Sequence, residues 1–568
     1  MNEIKLSQFK GADDRERFAA ALSYMRERPG MTLFVEPGEY VITTPLARET
    51  MNNAITGKFG TNPEDVMFKP DFRYDRGLDF SGHISSRIIA DGVTLMIDGF
   101  MEPVSVRDCS GVEIVGLTID HVRKPYTKGR IISWTMLDRD ENTAEILVDF
   151  PENFPINPDI IYPRYCTYVP DKERFGKDFG IRSFTYIDDH RARFVLERSD
   201  KSFVGNELYL WHSFHSRPAI LIENAKDTVL RDVTIHSQPG MGIVGQKAEN
   251  ILIERLRVIP SVGDHISTNT DATHFASCRG LLRLDGCEFE GQGDDSINVH
   301  TYYYTVISHE GERCRLQIKA PTGTHAQSLD YPEIGDKLEL TDKKTLLSVG
   351  EYRVVDCRPD FEGFFCDVVL DRALPDDLDD YFIADPDELP VLEFVNCRAR
   401  NHYARSILIK CRSALIENCT VSDVFECAVK IAAEAWWHEG ISTADVTVRR
   451  CRFINCGRRL TECGGVYVRM DCEDSTTKAH GLVTIEDNII ECPEAHHGIV
   501  VKNTKQAIVR RNHIVSAKQN CCIEPGVGVL WTKRCVSVCA GGEYADNRGG
   551  GIPAGRVRCL VNRNQQKQ

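Results

Sequence analysis

The chain has 568 residues, more than one compact core usually holds, so it is either several domains or an elongated repeat. Its formal net charge of −15 argues against a nucleic-acid binder, which needs a basic face, and makes an anionic polymer an unfavourable substrate unless a local basic cleft overrides the global sign. No stretch approaches the roughly 20 apolar residues needed to cross a bilayer.

In chain order, Asp13 and Asp14 followed by residues 15–26 read as an N-capped amphipathic helix. Residues 31–42 then read as strand, Pro37-Gly38 turn and strand. This is the opening expected of a solenoid of strands, with the helix plugging its apolar end. No apolar leader with a small-residue cleavage site is visible at the N-terminus. The expected location is therefore the cytoplasm, or the periplasm or exterior if a leader has been removed.

From residue 114 onward a pattern recurs: apolar-x-x-(apolar, Cys or Asn)-x-apolar. It begins with Ile114-x-x-Leu117-x-Ile119, Leu230-x-x-Val233-x-Ile235, Ile253-x-x-Leu256-x-Val258 and Leu284-x-x-Cys287-x-Phe289. It continues from Phe394, Ile416, Val448, Ile485 and Val509. Successive copies begin at 230 and 253, at 394 and 416, and at 485 and 509, a nearly constant interval. A second short β-rich run, such as 219–222 or 406–409, precedes most copies. Short strands at this period describe a solenoid, in which stacked coils about 4.8 Å apart bury a continuous apolar cylinder. A β-sandwich is the competing architecture, and the run of similar spacings favours the solenoid. Several of the 21 cysteines fall in the fourth slot of the pattern, where they read as small buried apolar residues in a reducing compartment rather than a disulfide framework.

Two stretches of alternating strands interrupt the repeat. The predicted organisation is a cap and first coils over 1–130, a β-rich insertion over 131–212, central coils over 213–300, a barrel-like β insertion over 301–390, and C-terminal coils and tail over 391–568. The fold class is all-β: a right-handed parallel β-helix with an N-terminal capping helix and two inserted β-rich subdomains.

The densest polar cluster lies in residues 261–300. Asp271, in NTDATHF, and Asp294, in GQGDDSINVH, are separated by the same interval as the copies at 230 and 253. That interval is one coil, so they are expected nearly above one another. Asp295 joins them only if a bend breaks strand alternation, which Gly291 and Gly293 permit. Three crowded carboxyls cannot all ionise cheaply. One is expected to be raised and to act as an acid while the others stay charged, the arrangement glycoside hydrolysis needs. Turn formation or calcium ligation is the bland alternative for all three.

Around them lie candidate substrate-binding residues, each with a structural reading beside it. His274, Asn298 and His300 flank the carboxylates, and the histidines could equally be structural hydrogen bonders. Arg405 and Lys410, in ARSILIK, could bind sugar or be solvated surface. Glu434, Trp436, Trp437 and Glu439, in AAEAWWHEG, form an aromatic-acidic loop. Its tryptophans could stack on a sugar or sit in the core. No metal spacing, phosphate loop or nucleophile elbow appears, so no cofactor is expected.

NTDATHF, then GDDSINVH one coil on, then a β insertion, then EAWWHEG, together resemble glycoside hydrolase family 110, within the pectate-lyase-like β-helix proteins. The likeness spans roughly residues 10–545, with its sharpest motifs confined to a few dozen residues. It implies an inverting, metal-independent exo-α-galactosidase acting on terminal α-1,3-linked galactose of blood group B-type or linear glycans. By position it makes Asp294 the general acid, with Asp271 and Asp295 holding the attacking water. NTD, DD and a later basic pair also echo the polygalacturonases of family 28, but the Gly-His-Gly motif is missing and Arg405 and Lys410 are five residues apart. A polygalacturonase-like hydrolase, a lyase and a non-catalytic glycan-binding solenoid stay open as alternatives. The expected partner is an oligosaccharide or glycoconjugate with terminal α-galactose. A homodimer is compatible with the sequence, which does not set the oligomeric state.

Overall fold

A computed structural model describes residues 2–67, 72–176, 180–197, 201–317, 330–360, 365–458, 461–516, 519–531 and 536–539. The repeat stacks in parallel register. Ile114 pairs with Leu230, Leu230 with Ile253, Ile253 with Leu284 and Leu284 with Phe394. Phe394 then pairs with Ile416, Ile416 with Val448, Val448 with Ile485 and Ile485 with Val509. The sixth motif positions form a parallel column from Ile119 to Ile514. Both columns belong to one continuous apolar core, which also takes in Cys287, Cys397, Cys419 and Cys451. The cysteines whose side chains are described are free thiols.

The third motif position explains the sharp corner between the two short strands. Gly116, Asp232, Arg255, Gly286, Asn396, Asn418, Arg450, Asp487 and Arg511 all have φ between 53° and 78°. A left-handed residue reverses the local curl of an extended chain. Gly, Asn and Asp adopt it at least cost, and they fill most of these corners. Corner side chains also bond along the stack: Asn418 Nδ2 donates to Asn396 Oδ1 at 2.7 Å, and Arg255 donates twice to Asp232.

A second parallel sheet closes the cylinder. Its strands include Glu102–Arg107, Ile220–Glu223, Ile243–Gln246, Thr273–Ala276, the start of Ile297–Glu310, Ile407–Ile409 and Val429–Ile431. At the N-terminal end, helix Asp14–Arg26 is capped by Asp13, which accepts from the Glu16 backbone N–H. It buries Phe18, Ala21, Leu22 and Met25 at helical spacing in the same core. A second helix, Pro45–Ile55, follows Thr44, whose side chain accepts from Ala47 N.

Two antiparallel units depart from the stack. The first is a seven-stranded sheet running from Tyr126–Asp138 to Glu207–Trp211 in sequence. The second begins where strand Ile297–Glu310 leaves the helix. This strand pairs in turn through Arg313–Gln317, Phe365–Leu370, Ser348–Asp360, Lys337–Asp342 and Tyr381–Ala384 back to itself. The result is a closed six-stranded barrel with its own core. Among the described residues no helix is long and apolar enough to cross a membrane.

Candidate active site

Parallel stacking puts equivalent residues of successive coils into columns. On the second sheet His274 pairs with Asn298, and Asn298 with Leu408. Three residues upstream of these partners lie Asp271, Asp295 and Arg405, one beneath another. One full coil therefore runs from Asp271 to Asp295, and Asp294 lies beside them, a correction of one residue to the expected alignment. Asp271 Oδ1 accepts the Asp295 backbone N–H at 3.2 Å.

Asp294 and Asp295 sit in the bend before strand Ile297–Glu310, where strand alternation does not apply. Gly293 permits that bend, because a Cβ there would lie 2.1 Å from the Asn269 carbonyl oxygen. Each of the three carboxyls presents an oxygen within 4.8 Å of the others.

Their environments differ. Asp271 Oδ2 lies 2.7 Å from His274 Nδ1. Asp295 accepts the Arg405 backbone N–H at 3.1 Å and its Nη2 at 2.9 Å. Burial, with the charges of Asp294 and Asp271, pushes Asp295 well up, and the guanidinium opposes this only in part. Arg405 is itself raised by Asp295 and Asp294 against burial, and its contact makes Asp295 the carboxyl of the three that a guanidinium stabilises when ionised. Asp294 has no such partner: its Oδ1 is sealed from solvent and unbonded. Burial, then the charge of Asp271, raises it to about 6 against Arg405 and His215.

Lys410 is fully buried, ion-paired to Glu434 at 2.8 Å and to Glu439. Asn298 Nδ2 donates to Glu439 Oε2 at 3.3 Å. Burial would raise Glu434, but Lys410 and Lys430 hold it down to about 2.

These groups line a cavity of about 700 Å³, with Asp271, His274, Asp294, Asp295, Asn298, Arg405, Glu434, Trp437 and Glu439 in its wall. Three expected substrate-binding residues are not in that wall. His300 lies behind His274, its Nε2 2.8 Å from His274 Nε2. Lys410 lies beneath Glu434 and Glu439, neither solvated nor open to a sugar. Trp436 is 80% exposed. The short 3-10 turn Ala435–Trp437 fans successive side chains about 120° apart, so only one tryptophan of the pair faces inward.

The wall also holds residues outside any repeat spacing: Glu64, Arg164, Trp211, His215 and Glu426. His215 Nδ1 is 2.8 Å from Glu64 Oε2. The run Trp211-His212-Ser213-Phe214-His215, just before the coils resume, was the available signal for Trp211 and His215. None marked Glu64.

The clustered oxygens are close enough for a cation, but His274 and Arg405 already engage Asp271 and Asp295, and Arg405 adds positive charge. A second acidic group, Asp336, Asp385 and Glu388, is engaged by Lys247 and Arg279. The donor set at the cavity suits acid–base work better than metal ligation.

The chain is thus a parallel β-helix with acidic side chains of adjacent coils gathered in one cavity. The comparisons place it further. No protein-family model matches the chain. It is 26% identical over 516 residues to alpha-1,3-galactosidase A of Shewanella woodyi, covering 86% of this chain and 81% of that protein. It is 25% identical over 457 residues to alpha-1,3-galactosidase A of Bacteroides fragilis, covering 75% and 73%. It is 23% identical over 505 residues to alpha-1,3-galactosidase B of Bacteroides thetaiotaomicron, covering 82% and 78%. Among solved structures, the mannuronan C-5 epimerase A-module of Azotobacter vinelandii aligns over 94% of this chain and 99% of its own, at 10% identity and TM-score 0.40. The chain is a homologue of glycoside hydrolases named α-1,3-galactosidase, as its sequence motifs implied.

Proposed function

We propose that this glycoside hydrolase removes terminal α-1,3-linked galactose from the non-reducing end of a glycan. The observation that carries the reading is the division of three clustered carboxyls by their partners: Asp294 has a buried oxygen with no hydrogen-bond partner among the described residues, whereas Asp295 is engaged by Arg405 and Asp271 by His274. Asp294 donates its proton to the departing glycosidic oxygen. Asp271 and Asp295 hold and deprotonate the water that attacks the anomeric carbon.

The wall favours a neutral sugar: it holds seven carboxyl side chains against Arg164, Arg405 and Arg458. Glu434 and Glu439 are acceptors suited to sugar hydroxyls, and Trp437 offers a face for the apolar side of a ring. Arg164, Tyr165 and Trp211 of the first inserted sheet add a further wall, which suits recognition of a chain end. The same acidity disfavours the uronate-processing alternatives.

Inversion rests on the family resemblance. Proton NMR of an α-1,3-galactoside digest tests both parts. Released β-galactose as the first product supports inversion, whereas α-galactose first assigns a nucleophilic role to one of the carboxylates. Asp294→Asn and Asp271→Asn should each reduce hydrolysis at least about a thousandfold. Activity above a tenth of wild type in either variant discards the site.

A further inference from the structure

Behind the cavity wall a chain of buried groups leads to Asp271. The Thr301 carbonyl oxygen lies 3.0 Å from His300 Nδ1. A carbonyl only accepts, so that nitrogen carries a proton and donates it. His300 Nε2 lies 2.8 Å from His274 Nε2, and one of the two must donate. His274 Nδ1 lies 2.7 Å from Asp271 Oδ2, and a carboxylate accepts. Both histidines are buried, at 6% and 0% exposure, so water cannot substitute for a missing partner.

We propose that Thr301, His300 and His274 form a positioning relay that presents Asp271 as an oriented carboxylate. His300 is neutral with its proton on Nδ1, and His274 is an imidazolium donating to His300 and Asp271 at once. Neither histidine is assigned to touch the sugar. The inference rests on the reading of Asp271 above.

The surrounding charges agree with this protonation pattern. Burial lowers His274, but the hydrogen bond and charge of Asp271, with Glu439, raise it overall against Lys410. Burial holds His300 down to about 3, with Glu439 opposing and His274 and Lys410 reinforcing. The Tyr302 ring packs edge-on against His300. With Oδ2 held by imidazolium and Oδ1 by the Asp295 N–H, Asp271 keeps its remaining lone pairs for a water in the cavity.

The test uses the full chain labelled with ¹⁵N-histidine at pH 7, with His274→Asn and His300→Gln identifying the two rings. The expected spectrum shows both nitrogens of His274 protonated and His300 protonated on Nδ1 alone. His300→Leu, which removes the acceptor, should lower kcat about 30-fold with KM within about twofold, and His300→Gln, which restores an acceptor, should stay within about threefold of wild type. A neutral His274, or His300→Leu with wild-type kcat, overturns the relay. Should His300→Leu not fold, the spectrum and His300→Gln still decide: a Gln variant as impaired as Asp271→Asn also overturns it. If Asp271→Asn itself remains active, the site reading fails first. If it is inactive while His274 is neutral, only the relay fails.

Discussion

Asp294 Oδ1 is a buried carboxyl oxygen with no hydrogen-bond partner among the described residues, and this has two measurable consequences. As a general acid it must carry its proton, so kcat/KM should fall as pH rises through about 6. The second concerns stability. A carboxyl raised from 3.8 to about 6 binds its proton more tightly in the folded chain than in the unfolded one. Its contribution is present at low pH and is lost as pH rises through the folded value. Asp294→Asn, which cannot ionise, should therefore melt above wild type at pH 8, with the gap closing toward pH 5. Equal melting temperatures at both pH values, followed by differential scanning calorimetry, would contradict an unpaired ionised Asp294. At this scale the sequence exposed the acids, because Asp271 and the Asp294-Asp295 pair recur at coil spacing. It also exposed several neighbours, His274, Asn298, Arg405, Glu434, Trp437 and Glu439, but not how they pair. The partners of Lys410, Glu434 and Glu439, lie further down the chain in a loop without periodicity, and Glu64 reaches the cavity from outside the repeat.

The corner residues set the prediction for single elements. Asn418 is exposed, with φ of 55°, a conformation that costs an ordinary L-residue roughly 1–2 kcal/mol. Asn418→Ala should destabilise the chain by about 1 kcal/mol and Asn418→Gly by less than half of that, measured by urea denaturation. Equal losses would place the energy of the corner in the Asn396 hydrogen bond rather than in the backbone. The apolar positions of each coil were legible because buried strands demand them at a fixed offset. The corner between them was visible only as an unspecified x, since Gly, Asn, Asp and Arg share no hydropathy. Helix Pro45–Ile55 had a readable signature, a Thr N-cap followed by Pro at the first helical position, but its place between strands of a solenoid drew no expectation of a helix. The one-residue error in stacking Asp294 on Asp271 arose because coil length varies slightly from turn to turn, and a column is set by pairing rather than by counting.

At the scale of the whole molecule, charge and architecture act together. The chain is acidic overall, and the cavity concentrates that sign, so an anionic ring should be rejected even where its shape fits. Replacing terminal galactose by galacturonate in an α-1,3-linked substrate should reduce kcat/KM by at least about a hundredfold, since like charges facing each other in a partly dehydrated cavity cost several kcal/mol. Equal turnover of both sugars would reopen the uronate readings. The two inserted units differ in their relation to the site. The first sheet lends Arg164, Tyr165 and Trp211 to the cavity wall, whereas among the described residues the barrel reaches it only through Asn298, at the start of the strand it shares with the β-helix. It acts through its root: Tyr302 pairs with Glu439 and Thr301 with Gly440.

Because neighbouring coils repeat the same backbone, the column holding Asp271, Asp295 and Arg405 continues to Met241 on one side and Cys427 on the other. The scaffold thus offers a ruled track of interchangeable seats, each about 4.8 Å from the next. An acid at Met241, whose side chain already lines the cavity, would stand one notch along the axis from Asp271 without any redrawing of the cylinder.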